Sequence, residues 1–577
     1  MAAAGGQGAL DLYADDPAFA RRMQRLLGED YAWAQLHLHR MGGLAAGPIA
    51  ELAPLAEAHP PVLRQFDRDG ERIDRVEFHP AYDEMRRLAY GAGLVALAYE
   101  DDARPGGGRA PHALIFGMGY LFAQAEQGLY CPICMTDGAA RLLERFAPPW
   151  LARRFVPRLA SRDLASLCEG AMWLTEKQGG SDVGANTTRA EPAADGSWRL
   201  HGEKWFCSNL GAEVMMVLAR PAGAPAGTRG LGLYLVPLHR EDGRRNAIRF
   251  HRLKDKLGTR SMATGEAALQ GAFAWQLQGP GRGFKAMAEM LNLSRLYNAV
   301  ASCACMRRAV RAAVVHARQR EAFGRRLEEH PLHREVLAEL IVESEAATAL
   351  VFEAVRRLDL LDAGRATAED ATLWRALTPL VKLHTAKRAI ALASEAIEAL
   401  GGNGYIEEFG LARLLRDAQV LPIWEGTTNV LALDFLLRAC GKEGALGPWL
   451  AWIEERLAEA ALAGGELAAA AHTVGAAAAA WGEAVRAALD GPEPRTDQAR
   501  RIAARAARLS EAALLLAEAA EDQRAGDGRG AVLALRHFAR FFAPPSSSGL
   551  RAAPALEDAA WRALRDGTPL LLVPQGA

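Results

Sequence analysis

The sequence has few cysteines, almost no net charge and no long apolar run. Its 577 residues contain seven cysteines, an odd number, which argues against a disulfide framework. The formal net charge is −1, so the whole chain creates no field that would recruit nucleic acid or an anionic membrane. No run of about 18 apolar residues occurs, so we expect no transmembrane helix and no membrane partner. Because residues 1–10 are small and polar without a basic start, we expect no signal peptide and a cytoplasmic location.

Two short motifs have the spacing of metal or redox sites but lack the other residues that such sites need. Cys131 and Cys134 have Cys-x-x-Cys spacing. A structural zinc site needs a second pair, and a thioredoxin-like site needs a βαβ context. The flanks of the pair have a helical pattern, so we interpret both as structural thiols. His330 and His333 have no accompanying ligand cluster, and we expect no metal site.

Length and changes of residue pattern predict several domains in the order helices, β domain, helices and more helices. The β domain is predicted from alternating runs at 198–206, 214–219, 232–236 and 247–251, which turn signals separate. The stretch 544–549, PPSSSG, is predicted to be a linker. The expected parts are an N-terminal helical extension over 1–60, an N-terminal helical domain over 61–171, a middle β domain over 172–280, a helical bundle over 281–440 and an extra C-terminal helical domain over 441–577.

One acid lies in an apolar run at 421–429, whose sequence is LPIWEGTTN. Two apolar residues precede Glu425, and no cation lies within four residues on either side. Apolar surroundings disfavour the charged form of a carboxylic acid and bring its proton affinity toward the range that a general base uses. Gly426 permits a close backbone approach, and the polar residues after it can cap a helix over 430–440. A plain loop with a solvated Glu is the alternative that this stretch alone leaves open.

Four further stretches have the residue types of a ligand site. LTEKQGGSDV, at 174–183, is a loop whose backbone amides can turn toward a pyrophosphate or a flavin edge. KWFCSN, at 204–209, ends a strand with an aromatic wall beside a hydroxyl. QREAFGRRL, at 319–327, ends a helix with a glycine stop and arginines that match an anion. LGGNGY, at 400–405, needs a backbone that glycine follows most readily. Taken singly, these stretches also fit a plain turn, a core Trp, a solvated helix end and an interhelical turn.

Together with KLGTRSMATGE and LLRDAQVLPIWEGTTN, these stretches resemble the acyl-CoA dehydrogenase family in their order and spacing, over about residues 171–440. The form TEKQGGSDV, the upstream segments at 61–64 and 72–80, and the extra C-terminal helices resemble its AidB-like branch. The resemblance implies an α+β fold with an N-terminal helical domain, a middle β domain and a C-terminal four-helix bundle. It also implies FAD between these parts, and a homotetramer in which a neighbouring subunit completes each flavin site.

Carried over by position, the resemblance implies a set of FAD contacts. Thr175 would lie against the flavin ring, Ser181 against the pyrophosphate, and Ser208 would donate a hydroxyl. The full set is Leu174, Thr175, Ser181, Trp205, Phe206, Ser208, Arg320, Phe323, Gly401, Gly402, Thr427 and Asn429. Two positions depart from the family, since Glu398 and Pro331 stand where Gln residues commonly occur. Both departures weaken particular FAD contacts without removing the site.

The resemblance assigns Glu425 as the catalytic base that removes the α-proton of an acyl-CoA thioester while a hydride passes from the β-carbon to FAD. Some relatives place their base just before an Arg on another helix. Here that Arg resembles Arg295, which would help to hold substrate, and Ser294 before it cannot act as a base. An electron-transfer flavoprotein would accept the electrons.

Two other functions stay open. An acyl-CoA oxidase would share every residue named above. An AidB-like flavoprotein that binds DNA in an alkylation response would need a basic surface. Residues 441–577 contain 15 Arg and Lys against 17 Asp and Glu, a net charge of −2. Arg501, Arg505 and Arg508 share one predicted helical face, but nearby acids dilute it, and we favour a solvated face.

Overall fold

The computed structural model describes residues 10–545, 553 and 556–572, so the predicted linker residues 546–549 lie outside the described part. The described chain divides into two units. The N-terminal unit contains residues 32–297, and the C-terminal unit contains residues 13–31 together with the chain from Asn298 onward. The five-part division stated above stays a prediction.

Helices dominate the chain before the main sheet, and a short hairpin interrupts them. The strands Val62–Phe66 (β1) and Arg72–Glu77 (β2) pair antiparallel inside the part, 61–171, that was predicted to be a helical domain. Arg64 and Arg75 are exposed and Asp74 is buried, while Leu63 and Val76 pack against the core of the main sheet. The helices are α1 (Pro17–Leu27), α2 (Tyr31–Ala46), α3 (Pro48–Ala58), α4 (Pro80–Gly91), α5 (His112–Ala123), α6 (Tyr130–Phe146) and α7 (Pro149–Leu159).

The N-terminal unit is built on a seven-stranded sheet in the order β3-β6-β4-β5-β9-β7, with β8 paired to β9. Because β6 also pairs with β7, five of the strands close on themselves like a barrel. Trp173, Tyr234 and Phe250 are fully buried in its core. The strands are β3 (Gly170–Trp173), β4 (Arg189–Pro192), β5 (Trp198–Ser208), β6 (Val214–Pro221), β7 (Gly232–Pro237), β8 (Ile248–Leu253) and β9 (Thr264–Gln278).

All four predicted strands are present, as β5, β6, β7 and β8, but the other three strands of the main sheet, β3, β4 and β9, were missed. The longest, β9, is rich in Ala and Gly, which have low strand propensity. Its pairing with β5 and β8, which only the tertiary structure supplies, holds it extended. The first helices end at Leu159, earlier than the expected boundary near residue 171.

Among the residues that the structure describes, the regular elements of the C-terminal unit are helices and one small hairpin. The predicted glycine stop at Gly324 is wrong, because α8 ends at Gln319 and a hairpin follows. Phe323 and Gly324 have φ values of 52° and 79°, as a two-residue hairpin turn requires. The elements from residue 283 to residue 418 are α8 (Gly283–Gln319), β10 (Glu321–Ala322), β11 (Arg325–Arg326), α9 (Pro331–Asp362), α10 (Ala368–Leu400), α11 (Gly402–Tyr405) and α12 (Leu411–Ala418).

The remaining elements include the predicted extra helices. The helix expected over 430–440 begins two residues earlier, at Thr428, and continues as a π-helix over Asp434–Lys442. The helices are α13 (Thr428–Leu433), α14 (Leu446–Ala461), α15 (Gly465–Leu489), α16 (Ala499–Arg524), α17 (Arg529–Phe541) and α18 (Asp558–Asp566). No helix among the described residues is both long enough and apolar enough to cross a bilayer.

The arginine face predicted on α16 is largely occupied by contacts within the C-terminal unit. Arg508 makes ion pairs with Glu343 and Glu511. Arg505 donates to the carbonyl of Phe541 at 3.2 Å, and its guanidinium lies 4.3 Å from the ring centroid of Phe542. These two side chains are therefore engaged inside the protein rather than displayed together toward solvent.

Candidate active site

Two of the motif stretches lie side by side in the N-terminal unit. The backbone N–H of Trp205 donates to the carbonyl of Thr175 at 2.9 Å, so the loop after β3 runs beside the end of β5. Leu174 is buried, and its carbonyl accepts a hydrogen bond from the side-chain amide of Asn186 at 2.9 Å. Thr175, Trp205 and Phe206 each keep part of their surface exposed. The structure thus brings a hydroxyl and two aromatic rings to one corner of the unit.

A bulge in β5 turns the two aromatic residues outward. In the ladder with β9 the register shifts between Lys204 and Cys207, so Trp205 and Phe206 lie opposite a single residue of β9. Such a bulge breaks the alternation of a strand and re-aims its side chains. Phe206 is 52% exposed. Exposed ring surface of this kind suits a planar ligand.

A buried ion pair fixes the same corner. Lys204 Nζ lies 2.9 Å from Glu176 Oε1, and both side chains are buried. Glu176 also accepts hydrogen bonds from the backbone N–H and the hydroxyl of both Thr187 and Thr188, at 2.6–3.1 Å. Burial opposes ionisation of Glu176, but the Lys204 ammonium and these donors outweigh it and lower the pKa of Glu176 to about 2. The carboxylate therefore stays charged and holds the loop against β5.

The Gly-Gly-Ser turn folds closely over Thr175. A Cβ atom built on Gly180 would lie 2.6 Å from Thr175 Oγ1, so a side chain there would force the loop or the threonine to move. Gly179 has φ +134°, which side chains rarely allow. Ser181 follows on an exposed part of the loop. This turn leaves backbone and hydroxyl groups open to a ligand beside Thr175.

A lysine lies over the aromatic pair. Lys254 Nζ is 3.7 Å from the ring centroid of Trp205 and 4.5 Å from that of Phe206. It also pairs with Glu266 at 2.7 Å, which holds the ammonium in place. Ser208 ends β5 and is half-buried, and its carbonyl accepts from the indole N–H of Trp173 at 3.2 Å.

Four of the expected contacts lie on loops of the C-terminal unit. Arg320 and Phe323 belong to the hairpin after α8, and Phe323 is 96% exposed. Gly401 ends α10 with φ +64°, and Gly402 begins α11. Each of these residues is exposed in the single chain.

Glu425 lies on a turn of the C-terminal unit between α12 and α13. It is half-buried, and its φ is 57°, in the left-handed region that a residue with a side chain rarely occupies. Gly426 follows with φ +104°. Lys382 Nζ donates to the carbonyl of Gly426 at 2.6 Å. Thr427 takes the N-cap position of α13, and Asn429 lies exposed in its first turn.

Arg295 lies on α8, in the first part of that helix, which belongs to the N-terminal unit because the division between the units falls after Tyr297. It is half-buried, and its guanidinium donates to the side-chain carbonyl of Asn292 at 3.1 Å. Ser294 beside it is buried and donates its hydroxyl to the backbone carbonyl of Leu291 at 3.1 Å.

Comparison with protein families matches three successive parts of the chain between residues 6 and 439. Residues 6–165 match the adaptive response protein AidB N-terminal domain. Residues 171–272 match the acyl-CoA dehydrogenase middle domain, and residues 281–439 match the acyl-CoA dehydrogenase C-terminal domain.

The chain aligns with most of the length of two curated relatives. The Caenorhabditis elegans protein "Acyl-CoA dehydrogenase family member 11" is 39% identical over 443 residues, 75% of this chain and 71% of the relative. The Escherichia coli (strain K12) protein "Putative acyl-CoA dehydrogenase AidB" is 40% identical over 445 residues, 76% of this chain and 79% of the relative. The chain belongs to the acyl-CoA dehydrogenase family. Members of this family are FAD-dependent oxidoreductases that act on CH–CH bonds of acyl-CoA, and this chain resembles the AidB branch.

Solved structures of the acyl-CoA dehydrogenase family support the predicted fold. The structure of Caenorhabditis elegans ACDH-11 in complex with C11-CoA is 33% identical with a TM-score of 0.84, covering 99% of this chain and 94% of that chain. The apo-form of Bd2924 is 35% identical with a TM-score of 0.79, covering 90% of this chain and 99% of that chain. The prediction of helical, middle β and C-terminal helical parts is confirmed.

The residues of the N-terminal unit fit the FAD of the acyl-CoA dehydrogenase family. The outward rings at the β5 bulge offer a flat apolar surface, and the Thr175 hydroxyl lies beside them. A side chain at Gly180 would meet Thr175 Oγ1, so the glycine lets the loop lie close to that hydroxyl. The donor set is rich in hydroxyls and backbone amides, which suits a flavin edge and a pyrophosphate.

Sequence reasoning named the motifs of this acyl-CoA dehydrogenase but missed residues that hold them. Glu176, Lys204 and Lys254 lie inside or beside the motifs, yet received no role. The available signal for a buried ion pair was a charged residue within a stretch of strand-forming residues. Lys382 lies in the apolar run LTPLVKL of α10, and a lone cation among apolar residues was the signal there.

Proposed function

We propose that Glu425 is the catalytic base of the acyl-CoA dehydrogenase reaction of this chain. The observation that supports it is the left-handed backbone of Glu425, on a turn that a buried lysine holds. Such strain persists where the surrounding structure imposes it, and it is concentrated at functional sites. The half-buried position of Glu425 also reduces the hydration of its carboxylate.

In this proposal, Glu425 removes the α-proton of the acyl thioester and keeps it on its carboxylate. The α-proton is weakly acidic, so the thioester oxygen needs hydrogen-bond donors, one of which is the backbone N–H of Glu425. When bound, FAD supplies the acceptor for the hydride that leaves the β-carbon. Losing the proton and the hydride turns the single Cα–Cβ bond into the double bond of an enoyl thioester.

The proposed FAD contacts are twelve residues of the motif stretches. In the N-terminal unit they are Leu174, Thr175, Ser181, Trp205, Phe206 and Ser208. In the C-terminal unit they are Arg320, Phe323, Gly401, Gly402, Thr427 and Asn429. Arg295 is the proposed substrate contact, since its guanidinium can pair with an anionic group of CoA.

The proposed substrate is an acyl-CoA, and the proposed electron acceptor is an electron-transfer flavoprotein. The related ACDH-11 structure contains C11-CoA, which supports a thioester with a medium-length chain. The electron acceptor is proposed from family membership. The alternative is an oxidase that passes the electrons to oxygen, and turnover measured with and without air distinguishes the two.

We further propose a homo-oligomer, with a tetramer as the expected form. Phe323 is 96% exposed and Tyr405 is 80% exposed in the single chain, which supports their burial against another subunit. The mass of the FAD-loaded protein by light scattering tests this. Seven free cysteines favour a reducing compartment, and the cytoplasm is the proposed location.

The experiment mixes FAD-loaded protein with a series of acyl-CoAs under anaerobic conditions and follows flavin bleaching. The series includes C11-CoA and runs from short to long chains. We expect bleaching with at least one member, and Glu425→Gln should retain FAD but bleach at least about a thousandfold more slowly. Repeating the turnover in air separates a dehydrogenase from an oxidase.

The matched control is Glu408→Gln, because Glu408 is an exposed acid in the loop before α12. It should bleach like wild type. Bleaching of Glu425→Gln at the wild-type rate would contradict the assignment of the base, and wild-type protein that no acyl-CoA bleaches would contradict the reaction.

A further inference from the structure

A fully buried lysine contacts the turn that carries Glu425. Lys382 lies in the middle of α10 with 0% of its surface exposed. Its Nζ donates to the carbonyl of Gly426 at 2.6 Å. A buried ammonium is costly unless it is paired or hydrogen-bonded, so this contact is a strong constraint on both partners. It joins α10 to a backbone group directly beside Glu425.

A second buried side chain holds the other end of the turn. Asn298, on α8, is 4% exposed, and its amide donates to the carbonyl of Leu421 at 3.1 Å. The backbone N–H of Trp424 donates to the carbonyl of Val420 at 3.2 Å. Side chains from two long helices therefore hold the backbone on both sides of Glu425.

The backbone between these two contacts has an unfavourable conformation. Glu425 and Gly426 have consecutive positive φ values of 57° and 104°. The left-handed conformation at Glu425 brings its Cβ close to its own backbone, and free chain would leave it readily. Because the Gly426 carbonyl follows this residue directly, fixing that carbonyl limits the rotations through which Glu425 could relax.

We infer that Lys382 is a positioning residue for Glu425, and the inference rests on the proposed role of Glu425 as the base. Lys382 fixes the position of the Gly426 carbonyl. That carbonyl in turn limits the backbone rotation at Glu425, and so the direction in which the Glu425 side chain points. A proton transfer needs the acceptor within hydrogen-bond reach of the carbon acid, and a misplacement of about 1 Å can cost about a hundredfold in rate. Lys382 acts through the backbone and has no chemical step of its own.

The test compares three variants of the FAD-loaded full chain. Lys382→Met keeps the length of the side chain but removes the donor, and Lys382→Arg keeps a donor. Lys387→Met is the matched control, since Lys387 lies on the same helix and is exposed. Anaerobic bleaching by an acyl-CoA gives the maximal rate and the half-saturating concentration, while absorbance and melting give FAD content and stability.

For Lys382→Met we expect a maximal rate that is about 10- to 100-fold lower, with FAD content and half-saturating concentration near wild type. Lys382→Arg should recover part of the rate, and Lys387→Met should match wild type. A residue with only a structural role would change melting and FAD content without this selective loss of rate.

Hydrogen exchange of the peptide that covers residues 421–427 gives a second measure that needs no turnover. The Lys382→Met protein should exchange faster in this peptide and at the wild-type rate elsewhere, because the turn has lost the hydrogen bond from Lys382 to the Gly426 carbonyl. If Lys382→Met does not fold, Lys382→Gln takes its place with the same two measures, since it removes the charge and shortens the reach.

The outcomes separate this inference from the proposed function. If Lys382→Met bleaches and exchanges like wild type while Glu425→Gln does not bleach, the inference is wrong and the base stands. If Glu425→Gln bleaches like wild type, the base assignment is wrong, and the inference about positioning it falls as well. If no acyl-CoA bleaches wild-type protein, the reaction is wrong, and unchanged exchange at residues 421–427 would show that Lys382 does not hold the turn either.

Discussion

The Lys204 ammonium lies 2.9 Å from the Glu176 carboxylate, with both groups buried, and this pair ties two sequence motifs into one corner. Glu176 belongs to the loop that contains Thr175, and Lys204 directly precedes Trp205 on β5. The pair therefore sets how the loop and the aromatic rings face each other. Removing either partner would leave the other charge buried without its counter-charge.

Glu176→Gln and Lys204→Met should each destabilise the protein by about 3–5 kcal/mol, because each leaves one buried partner unpaired. The double variant should lose less than the sum of the two, with a coupling energy of about 1–3 kcal/mol. Chemical denaturation measures the free energy of unfolding, and retained FAD absorbance reports the site. The control is the exposed neighbouring pair Lys177–Glu203, whose removal should cost less than about 1 kcal/mol. Additive single effects would contradict the role of the buried pair.

Acid should weaken the protein through Glu176. Its pKa in the folded protein is about 2, below the ordinary value of 4.5, so its stabilising contribution is complete above pH 4.5. As the pH falls from there toward 2, the folded state loses this advantage because the unfolded chain takes up the proton more readily. The difference in unfolding free energy between wild type and Glu176→Gln should therefore shrink below pH 4.5. A difference that stays constant on acidification would argue against an ionised Glu176.

Gly180→Ala should weaken FAD binding by about tenfold or more while changing stability little. The new Cβ would lie 2.6 Å from Thr175 Oγ1, so the loop or the hydroxyl must move. Equilibrium titration of apoprotein with FAD measures the affinity. Gly447→Ala is a suitable control, because a Cβ there meets open space at the start of α14. Equal affinity in Gly180→Ala and wild type would show that FAD does not need this close approach.

Glu511→Gln should destabilise the C-terminal unit by about 3–5 kcal/mol, because Glu511 is a fully buried carboxylate with several charged partners. His384 and Arg508 lie 2.8 Å and 2.9 Å from its oxygens, and His537 lies 3.3 Å away. Thermal unfolding and limited proteolysis within α14–α17 measure the effect. The exposed Glu493→Gln should behave like wild type. A neutral effect of Glu511→Gln would mean that the histidines and the arginine find other partners.

Duplex DNA should not be retained by this protein at about 150 mM salt, since binding needs many phosphate contacts. Arg508 and Arg505 are engaged inside the C-terminal unit, which leaves little of the predicted basic face. Electrophoretic retention at two salt concentrations measures this for wild type and for the variant Arg501→Glu with Arg505→Glu. Salt-sensitive retention that disappears in the double variant would instead support the DNA-binding alternative.

The strands show which parts of a sheet a sequence pattern can predict. β5 alternates visibly from Trp198 onward, so the pattern predicted it. β9 was missed because its Ala and Gly residues carry no strand preference of their own, and its long pairing with β5 joins segments that are not neighbours in the chain. The bulge that turns Trp205 and Phe206 outward was also invisible, since a bulge depends on the register of the neighbouring strand.

By itself, the sequence determined the family, the order of helical and β parts, and the motifs at which FAD and substrate are expected. These features depend on residue types at short spacing, which a single chain displays directly. Only the tertiary structure decided that Glu176 meets Lys204, 28 residues away, and that Lys382 meets the carbonyl of Gly426, 44 residues away. A buried charge finds its partner through folding of distant segments, and no local pattern specifies which segment that is.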